Sequence, residues 1–344
     1  MLRSLAIPLL LLFASFGCRS EKEPGRLLPD LTTEPVQYDT DDPAIWIHPE
    51  DPEKSLILGT DKETDGALYA FDLQGKIANR VGGIHRPNNV DVEYGFAMPG
   101  GPVDIAVLTE REHEGIRIFQ LPDLTPIDGG GLRVFEGENG DSLRAPMGVA
   151  LYKKPGTDSV YVILSRKFGP PQGYLWQYLL TVAPDSTLQL QLVRKFGAFS
   201  GKAEIEAIAV DDELGYVYYA DEMAGLRKYY ADPARGNEEL AFFGQNDFQE
   251  DSEGIAILDR GNGEGYLLVS DQQAGAFNVY PRAGAEGDPH QHPLLKKLWL
   301  STDETDGCEI SGAAFGQVFP RGFFVAMSAD KTFQVYRLER LGLE

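Results

Sequence analysis

The chain has 344 residues, with 53 Asp and Glu against 31 Lys and Arg, so its formal net charge at pH 7 is -22. A surface this acidic opposes binding to nucleic acid and to anionic lipid. The chain has two cysteines, Cys18 and Cys308, which excludes a disulfide framework and requires a packed core for stability.

The N-terminus has the pattern of a secretion signal over residues 1–17. Arg3 precedes an apolar run that is too short to cross a bilayer, and small residues precede Cys18. A Cys directly after Gly17 is similar to the bacterial lipobox, in which that Cys is acylated. We therefore predict an exported bacterial lipoprotein of the cell envelope, held to the membrane only through a palmitate-type lipid on Cys18. Arg19 in place of an Asp favours the outer membrane, and the alternative is a plain signal peptide that is cleaved nearby.

Residues 18–36 are rich in Glu, Pro and Thr, and this composition predicts a flexible tether between the lipid and the domain. Residues 37–344 then form the folded domain. A stretch of this length is long for one ordinary core, which makes a repeat architecture the first possibility to test.

One pattern of short apolar strands occurs six times along residues 37–344. The second strands of the repeats fall at residues 56–60, 103–108, 160–164, 216–219, 266–269 and 323–326. The third strands, each with an aromatic residue, fall at residues 67–71, 115–119, 174–178, 226–229, 276–280 and 333–336. Repeats about 45 to 60 residues apart predict an all-β fold, a six-bladed β-propeller. The alternative, a β-sandwich or barrel, needs fewer copies of one unit.

The first strand of each repeat is expected to line the central channel, with its opening residue at the channel mouth. The opening residues are Asp42, Asn89, Met147, Glu206, Glu253 and Ser311. Carboxylates that converge on a channel repel one another unless a cation lies between them, and all-oxygen ligands favour a hard ion such as Ca²⁺. We predict a metal site here, while a single Asp that opens a strand is usually a turn residue.

The ends of the second strands form another ring, and its charge is uneven. Blades 1 to 3 supply Lys62, Arg111 and Lys167, whereas blades 4 and 5 supply Asp221, Glu222, Asp271 and Gln272. Cations on one side and metal-binding oxygens on the other suit a ligand with several phosphates. This arrangement predicts a phosphomonoester site, and the alternative is a set of exposed, ion-paired loop ends.

Five segments, at residues 41–46, 88–91, 206–215, 251–254 and 304–307, resemble the β-propeller phytases. Members of this family are calcium-dependent enzymes that release phosphate from myo-inositol hexakisphosphate. The resemblance implies several bound Ca²⁺ ions. It implies metal ligands at Asp42, Glu206, Asp221, Asp251, Glu253, Gln272 and Asp306, and we add Asn89 of the ring and Asp91 of the segment 88–91. It also implies phosphate contacts from Lys62, Arg111 and Lys167, which with Glu206 make up the predicted catalytic residues.

Two positions depart from the family pattern. Met147 stands where relatives carry a tyrosine near the phosphates, and it is predicted to border the substrate. Glu63 stands where relatives often carry a second lysine. These changes affect the expected substrate preference more than the expected fold.

Two other functions stay open at this stage. One is a calcium-dependent lactonase or sugar-ester hydrolase, which needs one central ion and no basic sector. The other is a non-catalytic calcium-binding propeller on the cell envelope, since a fold does not determine a function. If the chain is a phytase, the expected partner is phytate as its calcium salt. The closed propeller is expected to be a monomer.

Overall fold

Six antiparallel sheets form the blades of a propeller in the computed structural model, which describes residues 25–344. The predicted all-β six-bladed propeller is therefore confirmed. The predicted signal sequence and the lipid attachment site at Cys18 lie outside the described residues.

Each blade has a meandering sheet with its first strand nearest the axis, except that the N-terminal strand β1 (Leu31–Thr32) completes the last blade. Blade 1 contains β2 (Thr40–Trp46), β3 (Leu56–Asp61), β4 (Gly66–Phe71) and β5 (Ile77–Ile84), and blade 2 contains β6 (Pro87–Met98), β7 (Gly101–Glu110), β8 (Gly115–Gln120), β9 (Thr125–Pro126) and β10 (Leu132–Arg133). Blade 3 contains β11 (Pro146–Lys153), β12 (Val160–Arg166), β13 (Gln172–Val182) and β14 (Leu188–Ala198), and blade 4 contains β15 (Ile208–Asp211), β16 (Tyr216–Asp221), β17 (Gly225–Tyr230) and β18 (Ala241–Phe243). Blade 5 contains β19 (Ile255–Gly261), β20 (Glu264–Asp271), β21 (Ala276–Pro281) and β22 (Lys296–Trp299), and blade 6 contains β23 (Cys308–Ser311), β24 (Phe323–Ser328) and β25 (Thr332–Arg337).

Among residues 25–344, helical structure is confined to single turns. These are α1 (Asp141–Arg144), α2 (Leu338–Leu341) and the 3-10 turns Pro52–Lys54 and Pro233–Arg235. Within the described part of the chain, none of them is long and apolar enough to cross a bilayer.

A separate apolar core fills the space between each pair of neighbouring blades. Between blades 5 and 6, for example, the rings of Phe277 and Phe324 meet edge to face with their centroids 4.8 Å apart. Because both faces of each sheet are buried, the middle strands are almost continuously apolar. The six cores hold the blades in a ring and so fix the starts of the innermost strands around the axis.

The innermost strands of blades 1 to 3 each begin with a β-bulge. The register shifts lie between Thr40 and Pro43, between Pro87 and Val90, and between Pro146 and Val149. A bulge re-aims the side chains next to it. As a result, the neighbouring pairs Asp41–Asp42 and Asn88–Asn89 both present polar groups at the axis.

The N-terminal segment closes the ring. Leu31 pairs with Val335 in β25, so β1 becomes the fourth strand of blade 6. Arg26 donates a hydrogen bond of 3.2 Å to the carbonyl oxygen of Leu300 in blade 5. The predicted flexible tether over residues 18–36 therefore extends too far, because residues 26–36 are hydrogen-bonded to the propeller.

The prediction that Ser311 opens the innermost strand of blade 6 is wrong. The strand is β23, in which Ser311 is the last residue and not the first. The apolar residues after it, which resemble a strand in sequence, lead into a turn closed by a bridge between Phe315 and Phe319. The position before β23 that corresponds to the mouth is occupied by Asp306, which the family resemblance had indicated.

Candidate active site

Five acidic side chains meet at the channel mouth, and we call them the mouth cluster: Asp41, Glu206, Glu222, Glu253 and Asp306. Glu206, Glu222 and Glu253 each place one carboxylate oxygen within 4.8 Å of the other two. Asp41 comes from the bulge of blade 1, and the other four precede or follow strands of blades 4 to 6. The mouth cluster thus joins residues that are more than 200 positions apart in the chain.

Glu206 is held in place by contacts from blades 2 and 3. The side-chain amide of Asn88 donates a hydrogen bond of 2.7 Å to its Oε1. Gly148 of the third bulge packs against its backbone, and a Cβ at Gly148 would overlap the carbonyl oxygen of Glu206. Only glycine permits so close an approach. The contact holds the backbone of Glu206 in place and so fixes the position of its carboxylate.

The environment of the mouth cluster favours protonated carboxyl groups. Burial, followed by repulsion from Glu206, raises the pKa of Glu222 to about 8. Burial also raises the pKa of Glu206, Glu253 and Asp306, and neighbouring carboxylates of the same cluster raise them further. Ionising all of these carboxyl groups would therefore create more negative charge than the protein groups around them neutralise.

The donor set fits a hard divalent cation. The Oε1 atom of Glu222 and the Oδ2 atom of Asp41 are buried and have no hydrogen-bond partner among residues 25–344. Buried polar atoms are normally paired, so two unpaired carboxylate oxygens in one cluster indicate a missing positive partner. Carboxylate and amide oxygens are the ligands that Ca²⁺ prefers.

Two neighbouring residues extend the acidic side of the site. The amide nitrogen of Gln272 donates to Oε2 of Glu253 at 3.1 Å and to Oδ1 of Asp306 at 2.7 Å. Asp251 lies beside them and accepts a hydrogen bond of 2.8 Å from the side chain of Gln273. The structure therefore brings together the predicted residues Glu206, Asp251, Glu253, Gln272 and Asp306.

The predicted phosphate-binding cations lie against these acids. Lys62 contacts Asp306 and is 2.9 Å from Oδ1 of Asp41. Although burial opposes it, the pKa of Lys62 is raised above its ordinary value by the carboxylates of Asp41, Asp306 and Glu206. The acids of the mouth thus favour the charged form of Lys62.

The other two predicted cations lie farther along the mouth. Arg111 contacts the side chain of Asn88 and is 3.4 Å from Oε1 of Glu206. Lys167 is more exposed and forms an ion pair of 2.7 Å with Glu204, whose backbone N–H in turn bonds Glu222. The uneven charge that the sequence predicts is present, with cations from blades 1 to 3 facing acids from blades 4 to 6.

Three of the predicted metal residues face the channel instead of the mouth. Asp42, Asn89 and Asp91 line a cavity of about 220 Å³ together with Glu253 and Glu309. The carboxylate of Asp91 accepts backbone N–H groups at 2.6 and 2.7 Å. Burial raises its pKa to about 6. The innermost strands thus present a second acidic zone below the mouth cluster.

Asp221, a predicted metal ligand, does not reach the mouth cluster in this structure. Its carboxylate is fully buried, accepts two hydrogen bonds from Ser200, and is paired with Arg227 at 2.9 Å. The next residue, Glu222, joins the mouth cluster in its place. Successive side chains in a strand point to opposite sides. An error of one position in the alignment therefore replaces a residue that points to the mouth with one that points into the interior.

Met147 does not border a substrate site in this structure. Its side chain is only 1% exposed, and its carbonyl oxygen accepts a hydrogen bond of 2.7 Å from Thr109. The structure therefore does not bring Met147 to the surface of the mouth, where it was predicted to border the substrate. The apolar side chain of Met147 packs inward. The hydroxyl of a tyrosine at this position would be stabilised by the polar groups of the mouth.

The chain is similar to known proteins over most of its length. The family model described as Phytase matches residues 2–335 of the chain. A protein of Bacillus subtilis (strain 168) named 3-phytase is 30% identical over 298 residues, which cover 84% of this chain and 74% of that protein.

Proposed function

This chain belongs to the phytase family, and from that premise we propose that it is a calcium-dependent phosphoric monoester hydrolase that acts on myo-inositol hexakisphosphate. The observation that supports calcium most directly is the mouth cluster, in which Glu206, Glu222 and Glu253 converge and, among the described residues, neither Glu222 nor Glu253 has an ion-pair partner. The substrate is expected to arrive as its calcium salt.

The cationic side of the mouth favours a phosphate ester over the two other functions considered. Lys62 is only 22% exposed and Arg111 only 14% exposed, yet both are charged and point at the acidic side. A lactonase or a scaffold has no use for two half-buried cations at this position, whereas phosphate oxygens are bound well by Lys and Arg.

The mouth cluster, with Asp251 and Gln272, is the set of residues that would hold calcium. When bound there, calcium would polarise the phosphorus and favour ionisation of a nearby water. The raised pKa values of Glu206 and Glu222 fit this role, because carboxyl groups that are hard to ionise in the protein alone gain the most from a cation.

The side chains of the chain itself supply binding and charge stabilisation. Lys62 and Arg111 donate to oxygens of the phosphate that is hydrolysed, and their positive charges stabilise the charge that develops in an in-line displacement by water. Lys167, at the outer edge, orients the rest of the ester. Hydrolysis breaks the ester P–O bond and leaves inorganic phosphate and an inositol hydroxyl.

A covalent phosphoenzyme is not part of this proposal. Among residues 25–344, no histidine is hydrogen-bonded to the mouth cluster, and Cys308 is a buried thiol whose pKa is raised well above its ordinary value by burial. A protonated thiol is a poor nucleophile. Direct attack by water is the simpler chemistry for this set of side chains.

The test is phosphate release from phytate by the purified protein, with calcium and with a chelator. We expect release only with calcium, and a loss of about 100-fold or more in kcat/KM for Glu206→Gln. The matched control is Asp259→Asn, which changes a carboxylate at the far end of β19 and should keep activity within about twofold. Release that is unchanged in chelator would contradict the calcium proposal.

We also propose that the protein is exported and anchored by a lipid on Cys18, and that it is a monomer. Fractionation of cells that produce the wild type or Cys18→Ser checks the anchor, since the variant should leave the membrane fraction and lose incorporation of labelled palmitate. Light scattering of the detergent-solubilised protein checks the monomer.

A further inference from the structure

Two histidine rings contact each other where blade 1 leads into blade 2. His85 follows the last residue of β5, and His113 lies in the turn between β7 and β8. Their ring centroids are 4.3 Å apart, with an angle of 41° between the ring planes. The backbone N–H of Glu112 donates to the carbonyl oxygen of His85 at 3.3 Å, so the two turns are joined and hold the rings side by side.

A buried carboxylate sets the orientation of this pair. The side chain of Glu110 is only 2% exposed, and its Oε1 lies 3.1 Å from Nδ1 of His113 and accepts the backbone N–H of His85 at 2.8 Å. An ionised carboxylate only accepts hydrogen bonds, so in the neutral imidazole Nδ1 carries the proton and the lone pair is on Nε2. Histidines that bind metals usually donate their other ring N–H to a carboxylate in this way.

Two of the other histidines already use their lone pairs on donors of the protein. Nδ1 of His48 accepts two backbone N–H groups at 3.1 and 3.2 Å, and Nε2 of His292 lies 3.2 Å from the ammonium group of Lys228. By contrast, no donor among residues 25–344 is hydrogen-bonded to a ring nitrogen of His85 or to Nε2 of His113. The lone pairs of this pair are available to an ion.

The surroundings leave room for an ion with bound water. A cavity of about 240 Å³ lies beside His113, and its lining includes Glu110 and three glycines, which contribute no side chains. Arg133 also lines the cavity, but it is paired with Glu114 at 2.8 Å. Solvent can therefore complete the coordination of an ion that the rings bind.

We propose that His85 and His113 form a binding site for a transition-metal dication, with Zn²⁺ as the representative ion, separate from the calcium site at the mouth. Neutral imidazole nitrogens suit Zn²⁺, Ni²⁺ and Cu²⁺, whereas Ca²⁺ prefers oxygen ligands. Nε2 of His113 and a ring nitrogen of His85 supply two ligands, water supplies the others, and Glu110 is a positioning residue. The bound ion ties the turn before blade 2 to a turn within it and so stabilises the folded protein.

The first test is calorimetric titration of the full chain with zinc chloride in excess calcium, which keeps the oxygen-ligand sites filled. The wild type should bind about one Zn²⁺ per chain. His85→Ala and His113→Ala should each weaken the binding by at least about tenfold, because each removes one of the two protein ligands. The matched control is His48→Gln, which removes an imidazole whose lone pair is already used and should leave zinc affinity unchanged.

A second measurement identifies the ligands and does not depend on the size of the affinity. Electron paramagnetic resonance of the copper(II)-loaded protein should show coupling to two imidazole nitrogens in the wild type and to one in each single variant. Zn²⁺ should also raise Tm of the wild type by mass action, but not Tm of the double variant His85→Ala/His113→Ala. Circular dichroism shows whether each variant is folded before it is titrated.

Two results would overturn the proposal. Zinc binding that is undiminished in both histidine variants and weakened by Glu222→Gln would place the ion at the carboxylates of the mouth. A folded wild type that binds no Zn²⁺ would show that His113 only neutralises Glu110. Neither measurement involves phosphate release, so the outcome is independent of the proposed function.

Discussion

Two carboxylate clusters lie at opposite ends of the innermost strands of blades 4 and 5, and they differ in how far the protein's own cations neutralise them. At the far end, Arg282 is only 2% exposed and pairs with Asp211 at 2.6 and 2.7 Å and with Glu213 at 2.9 Å, while Asp259 also contacts it. We call this the Arg282 cluster. At the mouth, Glu206 is paired with Arg111 at 3.4 Å, whereas Glu222 and Glu253 form no ion pair with any of residues 25–344.

The difference shows how the same residue type serves stability in one place and chemistry in another. In the Arg282 cluster the charges cancel inside the protein, so the carboxylates act as a clamp between blades 4 and 5. In the mouth cluster the carboxylates repel one another and carry raised pKa values. Such repulsion destabilises the folded protein, and it is expected at a site where a bound external cation neutralises the carboxylates.

The largest effect should follow from breaking the clamp. Arg282→Met leaves Asp211 buried without its cation, and we expect the free energy of unfolding to fall by about 3–5 kcal/mol. Urea unfolding in calcium measures the loss. The activity of the molecules that remain folded should change by less than about twofold, and a variant that is fully stable but inactive would contradict the division between the two clusters.

The next effect tests which carboxylate belongs to the mouth. Glu222→Gln keeps the shape but removes one charge, so we expect calcium-dependent kcat/KM to fall about 10- to 100-fold. Stability in chelator should be unchanged or higher, because a repulsive charge is gone. Steady-state kinetics and thermal unfolding measure the two properties.

The matched control is the adjacent residue. Asp221→Asn disturbs the contacts to Ser200 and Arg227, so we expect lower stability, by about 3 kcal/mol, with little change in kcat/KM for the folded protein. If instead Asp221→Asn abolished activity and Glu222→Gln did not, the assignment of Glu222 to the cluster would be wrong.

The smallest expected effect is the contribution of Glu222 to the pH dependence of stability. The pKa of Glu222 rises from 4.5 to about 8 on folding, so between these pH values the folded chain binds more protons than the unfolded chain. The free energy of unfolding in chelator should therefore fall as pH rises from about 5 to 8, and Tm with it by about 2–4 °C.

Calcium should flatten this slope, because it neutralises the ionised carboxylates and stabilises the folded state by mass action. Scanning calorimetry of the wild type and of Glu222→Gln, with calcium and with chelator, measures the slopes. A wild type and a variant with the same slope in chelator would show that the mouth cluster does not titrate as we expect.

The fold was predictable from the sequence because each repeat is a local pattern of short apolar strands that aligns with the other five. The blade count depends on short strands bounded by turns, and the structure has them at the predicted positions. Two predictions about the fold failed. Ser311 was placed at the start of a strand because the apolar turn after it resembles one. Residues 26–36 were predicted to be a tether because their partners are at the other end of the chain.

The site was predictable to within about one residue, because an alignment of repeats gives the position of a strand but not the direction of each side chain. The pairs Asp41–Asp42 and Asp221–Glu222 illustrate this limit. In the first, a bulge turns Asp41 toward Lys62 and Asp42 into the channel; in the second, the strand ends on Asp221 and the mouth receives Glu222. Bulges and strand ends are set by packing between blades, which no single repeat contains.

The pairing of β1 with β25 also governs when the molecule can become complete. Leu31 is among the first residues of the described chain to be synthesised, and its partner Val335 is among the last. Five blades can assemble from neighbouring segments as they emerge, but the sixth must wait for a contact between the two ends, which has a high entropic cost of loop closure. Ring closure is therefore the natural last event in folding, and loss of the first few paired residues should leave a propeller that opens at one defined seam.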